Sequence, residues 1–149
     1  MKIKSIFAAT LFVSASAMAL DDNQMQFSTD VDPMYGIEIT DAQGALRFKG
    51  EAASNPTAFK VISNTGETLT VHVELESLNT PSGQPVDNLE DDLYMGIGSD
   101  AHKIGDGADF SNLKSDKVYL ATAQFVHIER TDVKAGTYDA IITLTVQHK

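Results

Sequence analysis

Period-two alternation constrains this chain more than any other feature. In TLTVHVELESL (68–78), Leu69, Val71, Val73 and Leu75 fall on one side of an extended chain, and Thr70, His72, Glu74 and Glu76 on the other. Successive side chains of a strand point to opposite faces, so this is a half-buried antiparallel strand with one wet face. A helix would scatter the same apolar residues around its circumference. The chain ends in the same way. In AGTYDAIITLTVQHK (135–149), Tyr138, Ala140, Ile142, Leu144 and Val146 share one face, and Ile141, Thr143, Thr145 and Gln147 the other.

Shorter runs fill the interval. AFKVIS (58–63) places Phe59 and Val61 together, and the NTGE that follows carries a glycine suited to a positive φ. The spacing predicts a hairpin between that run and residues 68–78. MYGIEIT (34–40) and ALRFKG (45–50) are strand candidates split by a DAQG turn signal, and DLYMGIG (92–98) is another. KVYLATAQFVHIERT (117–131) predicts one long strand, or two with a bend. NTPSGQPVDNLEDD (79–92) and SDAHKIGDGADFSNLKSD (99–116) read as polar loops. With no convincing amphipathic helix, many short strands at this spacing imply an all-β fold, an immunoglobulin-like β-sandwich.

The first residues have the pattern of an export signal. Lys2 and Lys4 precede the apolar, small-residue stretch IFAATLFVSASA, and Ala17-Met18-Ala19 fits a small-x-small cleavage site, which places the cut after Ala19. The rival reading is a retained anchor. Ile6 to Val13 is too short for that, because a bilayer core of about 30 Å needs roughly 20 apolar residues. Removing 19 of the 149 residues leaves 130 with a formal charge of −12, enough for one domain. So acidic a chain is a poor partner for nucleic acid, where Lys and Arg must neutralise phosphate. Cysteine is absent, which excludes disulfides, thiolate metal sites and cysteine catalysis.

The residues offer little catalytic chemistry. His72, His102, His127 and His148 are scattered, and no HExxH, GxSxG or phosphate-cradling glycine loop occurs. Asp91 and Asp92 are adjacent carboxylates in a polar loop, where the burial needed for acid–base work is not suggested. DNLEDD (87–92) and DGAD (106–109) gather the oxygen ligands that calcium requires, but neither has EF-hand spacing, and solvated acidic loops are commoner. The sequence therefore implies no cofactor, no metal and no enzyme.

One more alternating stretch precedes the domain. In NQMQFSTDVDP (23–33), Met25, Phe27, Thr29 and Val31 oppose Gln24, Gln26, Ser28 and Asp30, and Pro33 closes the run. With the cysteine-free body and the AGTYDAIITLTVQ ending, this arrangement resembles the colonisation-factor class of fimbrial pilins (alpha-fimbriae) of the alternate chaperone–usher pathway. Phe27 is bulkier than that family's usual aliphatic and small donor face, and the acidic loop 87–92 has no counterpart in it. The resemblance implies a signal peptide (1–19), an N-terminal donor-strand extension (20–33) and an incomplete pilin domain (34–149) that lacks its final strand. It implies a donor strand carrying Met25, Phe27, Thr29 and Val31, and an acceptor groove walled by Tyr138, Ala140, Ile142, Leu144 and Val146. The implied partners are identical or related pilin subunits, a periplasmic chaperone and an outer-membrane usher. The implied place is the bacterial surface, reached through the periplasm, and the implied outcome is adhesion. On pattern alone, pairing of 23–31 within its own domain, as in complete sandwiches, is the favoured reading. A complete secreted sandwich that binds carbohydrate or calcium is the competing function.

Overall fold

A computed structural model describes residues 29–52 and 55–147. The chain divides into two units, Met1–Pro33 and Met34–Lys149. In the first, the described residues 29–33 carry no regular secondary structure, and Thr29 and Val31 are exposed. Met25 and Phe27 lie outside the described residues.

The second unit is built from strands alone, apart from two short 3-10 turns. In chain order these are β1 (Tyr35–Asp41), β2 (Leu46–Arg47), β3 (Thr57–Ser63), β4 (Thr68–Asn79), β5 (Leu93–Ile97), β6 (Asp100–Lys103), β7 (Ala108–Lys114), β8 (Val118–Phe125) and β9 (Asp139–Gln147). One sheet runs β1-β3-β8-β5-β6, with β2 lying parallel against β8 beyond the end of β3; the other runs β7-β4-β9. Their inner faces meet in one apolar layer, a β-sandwich. Phe59, Val61 and Phe125 from the first sheet and Val71 and Val73 from the second are almost wholly buried in it.

The alternation at 68–78 and 139–147 is realised as written. Leu69, Val71 and Val73 are buried while their neighbours face out, and β9 alternates exposed and half-buried residues along its whole length. The hairpin expected between 58–63 and 68–78 does not form. β3 pairs with β1 and β8, whereas β4 pairs with β7 and β9, so the 64–67 connection crosses from one sheet to the other. Gly66, at φ +73°, makes the crossing. The apolar faces of the two runs meet across the sandwich rather than side by side.

Residues 99–116 are also not a loop. Gly98 and Ser99 form a two-residue turn, with Gly98 at φ +64°, into β6, and β7 follows. Both are exposed edge strands, and β7 carries a bulge. Leu69 faces Leu113 and Val71 faces Phe110, with Asn112 at φ +62° absorbing the extra residue. That bulge erases period two from the sequence. The 117–131 segment is a single strand, β8, followed by a bend and a 3-10 turn at Arg130–Asp132, which leaves His127 in the bend rather than in a strand.

Asp92 is likewise not a loop carboxylate facing water. It ends the 3-10 turn Leu89–Asp92 with only 9% of its surface exposed. Its oxygens accept the backbone N–H groups of His127 (2.9 Å) and Ile128 (3.0 Å) and meet His127 Nδ1 at 2.5 Å. One carboxylate thus fixes the chain where it leaves β8. Asp92→Ala leaves two inward-facing N–H groups without a partner, at roughly 1–3 kcal/mol each. The expected loss is about 3 kcal/mol in urea unfolding, against less than about 1 kcal/mol for His127→Ala, whose ring is mostly in solvent.

Candidate functional site: the groove beside β9

Among the described residues the inward face of β9 is only half-buried. Among the described residues, β9 pairs with β4 on one side and with no strand on the other, and β1 at the margin of the first sheet pairs only with β3. Between these margins lies a groove of about 540 Å³. β9 supplies one wall through Tyr138, Ala140, Ile142 and Leu144. The other wall comes from Ile39 of β1, the 41–46 segment, Phe59, and Ala121 and Ala123 of β8.

Ile39 is an apolar part of this wall that is open to solvent. It stands opposite the buried Phe59 in the β1–β3 register, on the face turned toward the other sheet, yet 49% of its surface is exposed. Ile37, one step along the same face, is already half-buried. The bulge between Ile39 and Asp41 then turns the chain into the 42–45 loop. Gly44 is confined there, because a Cβ would stand 2.8 Å from Thr57 Cγ2.

One end of the groove is braced by Tyr138. Its hydroxyl donates to the Lys134 carbonyl (2.6 Å) and accepts from Gln84 Nε2 (2.6 Å). Gln84 Oε1 in turn accepts the Lys134 N–H at 3.1 Å, and Lys134 Nζ donates to the Ser82 carbonyl at 2.8 Å. Gly136 lets the two loops approach, since a Cβ there would run into the Pro81 ring. The Tyr138 ring stands edge-on to Phe48 at 5.3 Å, and Phe48 stacks on Phe125 at 5.1 Å. Beyond them Arg130 lies over Phe48 and binds Glu51 through Nε (2.7 Å) and Nη2 (2.6 Å). Glu51 also accepts the Phe48 N–H at 2.9 Å. That bond first, and the Arg130 charge with it, hold the Glu51 carboxyl below the usual carboxylate range.

Of the residues expected to wall a groove, Tyr138, Ala140, Ile142 and Leu144 line this one. Val146 does not; it is half-buried on the core, opposite Val71. The opposite wall, from Ile39 to Ala123, was not anticipated, because it depends on which strand ends each sheet. The acidic segments do not assemble into a site. Asp91 and Asp106 both reach Lys103 (2.8 and 3.8 Å), and Asp109 meets His72 at 2.6 Å. Among the described residues, no group of three His, Cys, Asp or Glu side chains is placed to hold a metal ion. His102 packs edge-on against Phe110, and no helix among the described residues is long and apolar enough to cross a membrane.

The brace has a pH signature. A carboxyl held low in the folded state stabilises above its unfolded pKa, and that contribution is lost as pH falls through the folded value. Glu51→Gln is expected to lower the melting temperature most near neutral pH, with the gap to the parent closing under acid. A gap that is constant from neutral to strongly acidic pH would contradict this account of Glu51.

No family model, curated protein or solved structure matches this chain, which leaves the groove's own residues as the guide to what the molecule does.

Proposed function

We propose that this protein is a structural fimbrial subunit of the chaperone–usher kind that it resembles. Its sandwich is immunoglobulin-like but incomplete, and it polymerises by accepting the N-terminal strand of a neighbouring subunit. The observation that carries the reading is the groove along the side of β9 that pairs with no described strand, lined by Ile39, Phe59, Ile142 and Leu144 together with polar residues such as Asp41, Gln43 and Thr122. Strand addition at an open edge uses backbone hydrogen bonds for affinity and pockets for alternate side chains for specificity. β9 offers both.

Strand order supports the same reading. An immunoglobulin sandwich sets strands A-B-E-D in one sheet and C-F-G in the other. Taken in chain order, β1-β3-β8-β5 corresponds to the first set, and β4-β9 to C-F, so the free side of β9 is where G belongs. The bond from Tyr138 back to Lys134, at the corner between β8 and β9, is the tyrosine corner found at the E–F turn of such folds. In this proposal residues 20–33 are the donated extension, a periplasmic chaperone and an outer-membrane usher handle the subunit in transit, and the fibre on the bacterial surface serves adhesion. Burial of Met25, Phe27 and Val31 contributes roughly 5–9 kcal/mol at about 1.5–3 kcal/mol each, before entropy costs. Whole domains are stable by only about 5–15 kcal/mol, so one inserted strand decides whether the subunit is stable.

The test is to move the strand. Deleting residues 20–33 should give a poorly soluble body. Appending NQMQFSTDVDP after the last residue through a short flexible linker should restore a soluble monomer that cannot polymerise, because linking raises the effective concentration to about millimolar. Phe27→Asp in the appended copy should abolish the rescue, and Gln26→Asp should not. A truncated body that is already stable, and indifferent to the appended strand, would refute the proposal.

A further inference from the structure

The outer face of the first sheet carries a row of side chains that the groove does not use. Leu46 of β2 and Ala123 of β8 turn into the groove, so Arg47 and Gln124, next to them in the chain, turn the other way and stand side by side. Gln124 pairs in turn with Tyr94 of β5, and Tyr94 with Lys103 of β6. Leu93 and Met95, on either side of Tyr94, are buried, which fixes the tyrosine outward. The row crosses four neighbouring strands, and at about 4.8 Å per strand Arg47 stands roughly 10 Å from Tyr94. The next row along is small, with Thr122, Gly96 and Ala101 in register, and a Cβ at Gly96 would stand 3.1 Å from Thr122 Oγ1. No bulky side chain stands beside Tyr94 in that row.

Arg47 is a surplus cation. The chain has two arginines, Arg47 and Arg130, and the charge of both acts on one carboxylate, Glu51. Arg130 and the Phe48 N–H take the oxygens of Glu51. Among the described residues Arg47 is left with no hydrogen bond or ion pair, and its Nε is shut away from solvent. An enclosed donor on a charged group is costly to leave unpaired, so an anion that engages this guanidinium gains more than simple attraction. The side chains of Gln124 and Tyr94 also form no hydrogen bond among the described residues. Lys103 differs, because Asp91 at 2.8 Å and Asp106 at 3.8 Å already hold it. The row thus attracts an acid at the Arg47 end and repels one near Asp91. We infer that this face binds a carbohydrate bearing a carboxylate, with the acid on Arg47, a hydroxyl on the Gln124 amide and a sugar ring against Tyr94. A guanidinium fork matches a carboxylate bidentately, and a primary amide offers a hydroxyl both donor and acceptor. The tyrosine ring gives sugar C–H groups a flat apolar surface with a polar tip. The separation of Arg47 and Tyr94 suits two linked sugars. A carboxylate of a second copy is the poorer occupant, because residues 20–149 carry a formal charge of −12 and two copies repel. The row lies on the opposite side of the sheet from the groove, so the inference stands apart from strand acceptance.

Saturation-transfer NMR on the full chain tests this, since it reads sugar binding to a monomer or a fibre alike. The acidic probes are a hyaluronan tetrasaccharide, which carries uronates, and sialylated lactose, which carries a sialate. Chitotetraose and plain lactose are their neutral counterparts. At least one acidic probe is expected to bind about tenfold or more tightly than its neutral counterpart, and which one binds tells uronate from sialate. Arg47→Gln should weaken that probe about tenfold, while Lys103→Gln should not weaken it. Tyr94→Ala and Gln124→Ala should each weaken it several-fold. If Arg47→Gln does not fold, Arg47→Lys takes its place; it keeps the charge, loses the fork and should still weaken binding. Failure of both acidic probes to bind overturns the inference, as does equal binding of acidic and neutral sugars. Acidic binding that ignores substitution of Arg47 overturns it as well. An Arg47 variant that binds sugar as the parent does but self-associates less in sedimentation assigns the guanidinium to a carboxylate of a second copy, and that too overturns the inference.

Discussion

The sandwich depends on one apolar layer between two sheets, and among the described residues that layer is buried at its centre and only half-buried along β9. At its centre Phe59, Val61, Val71, Val73, Leu93 and Phe125 exclude water almost completely. Toward β9 the same inward faces become half-buried, and at Ile39 a core-facing side chain is half in solvent. Burial of apolar surface is the main favourable term in folding, so a margin that stops short is stability left unrealised until something covers it. The groove and the proposed strand acceptance follow from where the layer ends.

With no disulfide available, the loops are held by polar side chains that reach backbone groups. Asp92 secures the exit from β8, the linked Tyr138, Gln84 and Lys134 secure the entry to β9, and Glu51 with Arg130 covers the ring of Phe48. Each of the three has a partner on the segment between β8 and β9. The strand that walls the groove therefore enters its sheet from a firmly fixed corner. A fixed wall would lose little conformational freedom on taking up the proposed partner strand, and that loss is among the larger costs of association.

Alternation makes several strands legible in the sequence. β3, β4, β5 and β9 appear close to where the pattern placed them, because each buries one face and leaves the other wet. β6 and β7 were not legible. They lie at sheet edges with few inward residues, and the Asn112 bulge separates Phe110 from Leu113 by three positions instead of two. Sheet membership was misread at 64–67, since a short glycine-containing connection serves a hairpin or a crossing equally well. The β9 wall of the groove was legible from Tyr138 to Leu144, whereas the Ile39 to Ala123 wall needed the strand order. The burial of Asp92 left no mark, because its partners are backbone N–H groups that every residue carries.

The edge of β9 that pairs with no described strand also has a kinetic meaning. Many proteins protect an edge strand with a lysine, a proline or a bulge of its own. DAIITLTVQ has one charge, at its first residue, and no proline, and its outward Ile141 is half in solvent. Along β9 itself no lysine or proline stands in the way of another copy of the same strand. In the proposed assembly, addition of one subunit to an existing end is first order in free subunit, while edge-to-edge clustering of free subunits is at least second order. Dilution, rather than a change of temperature or salt, is then the condition that separates ordered assembly from precipitation.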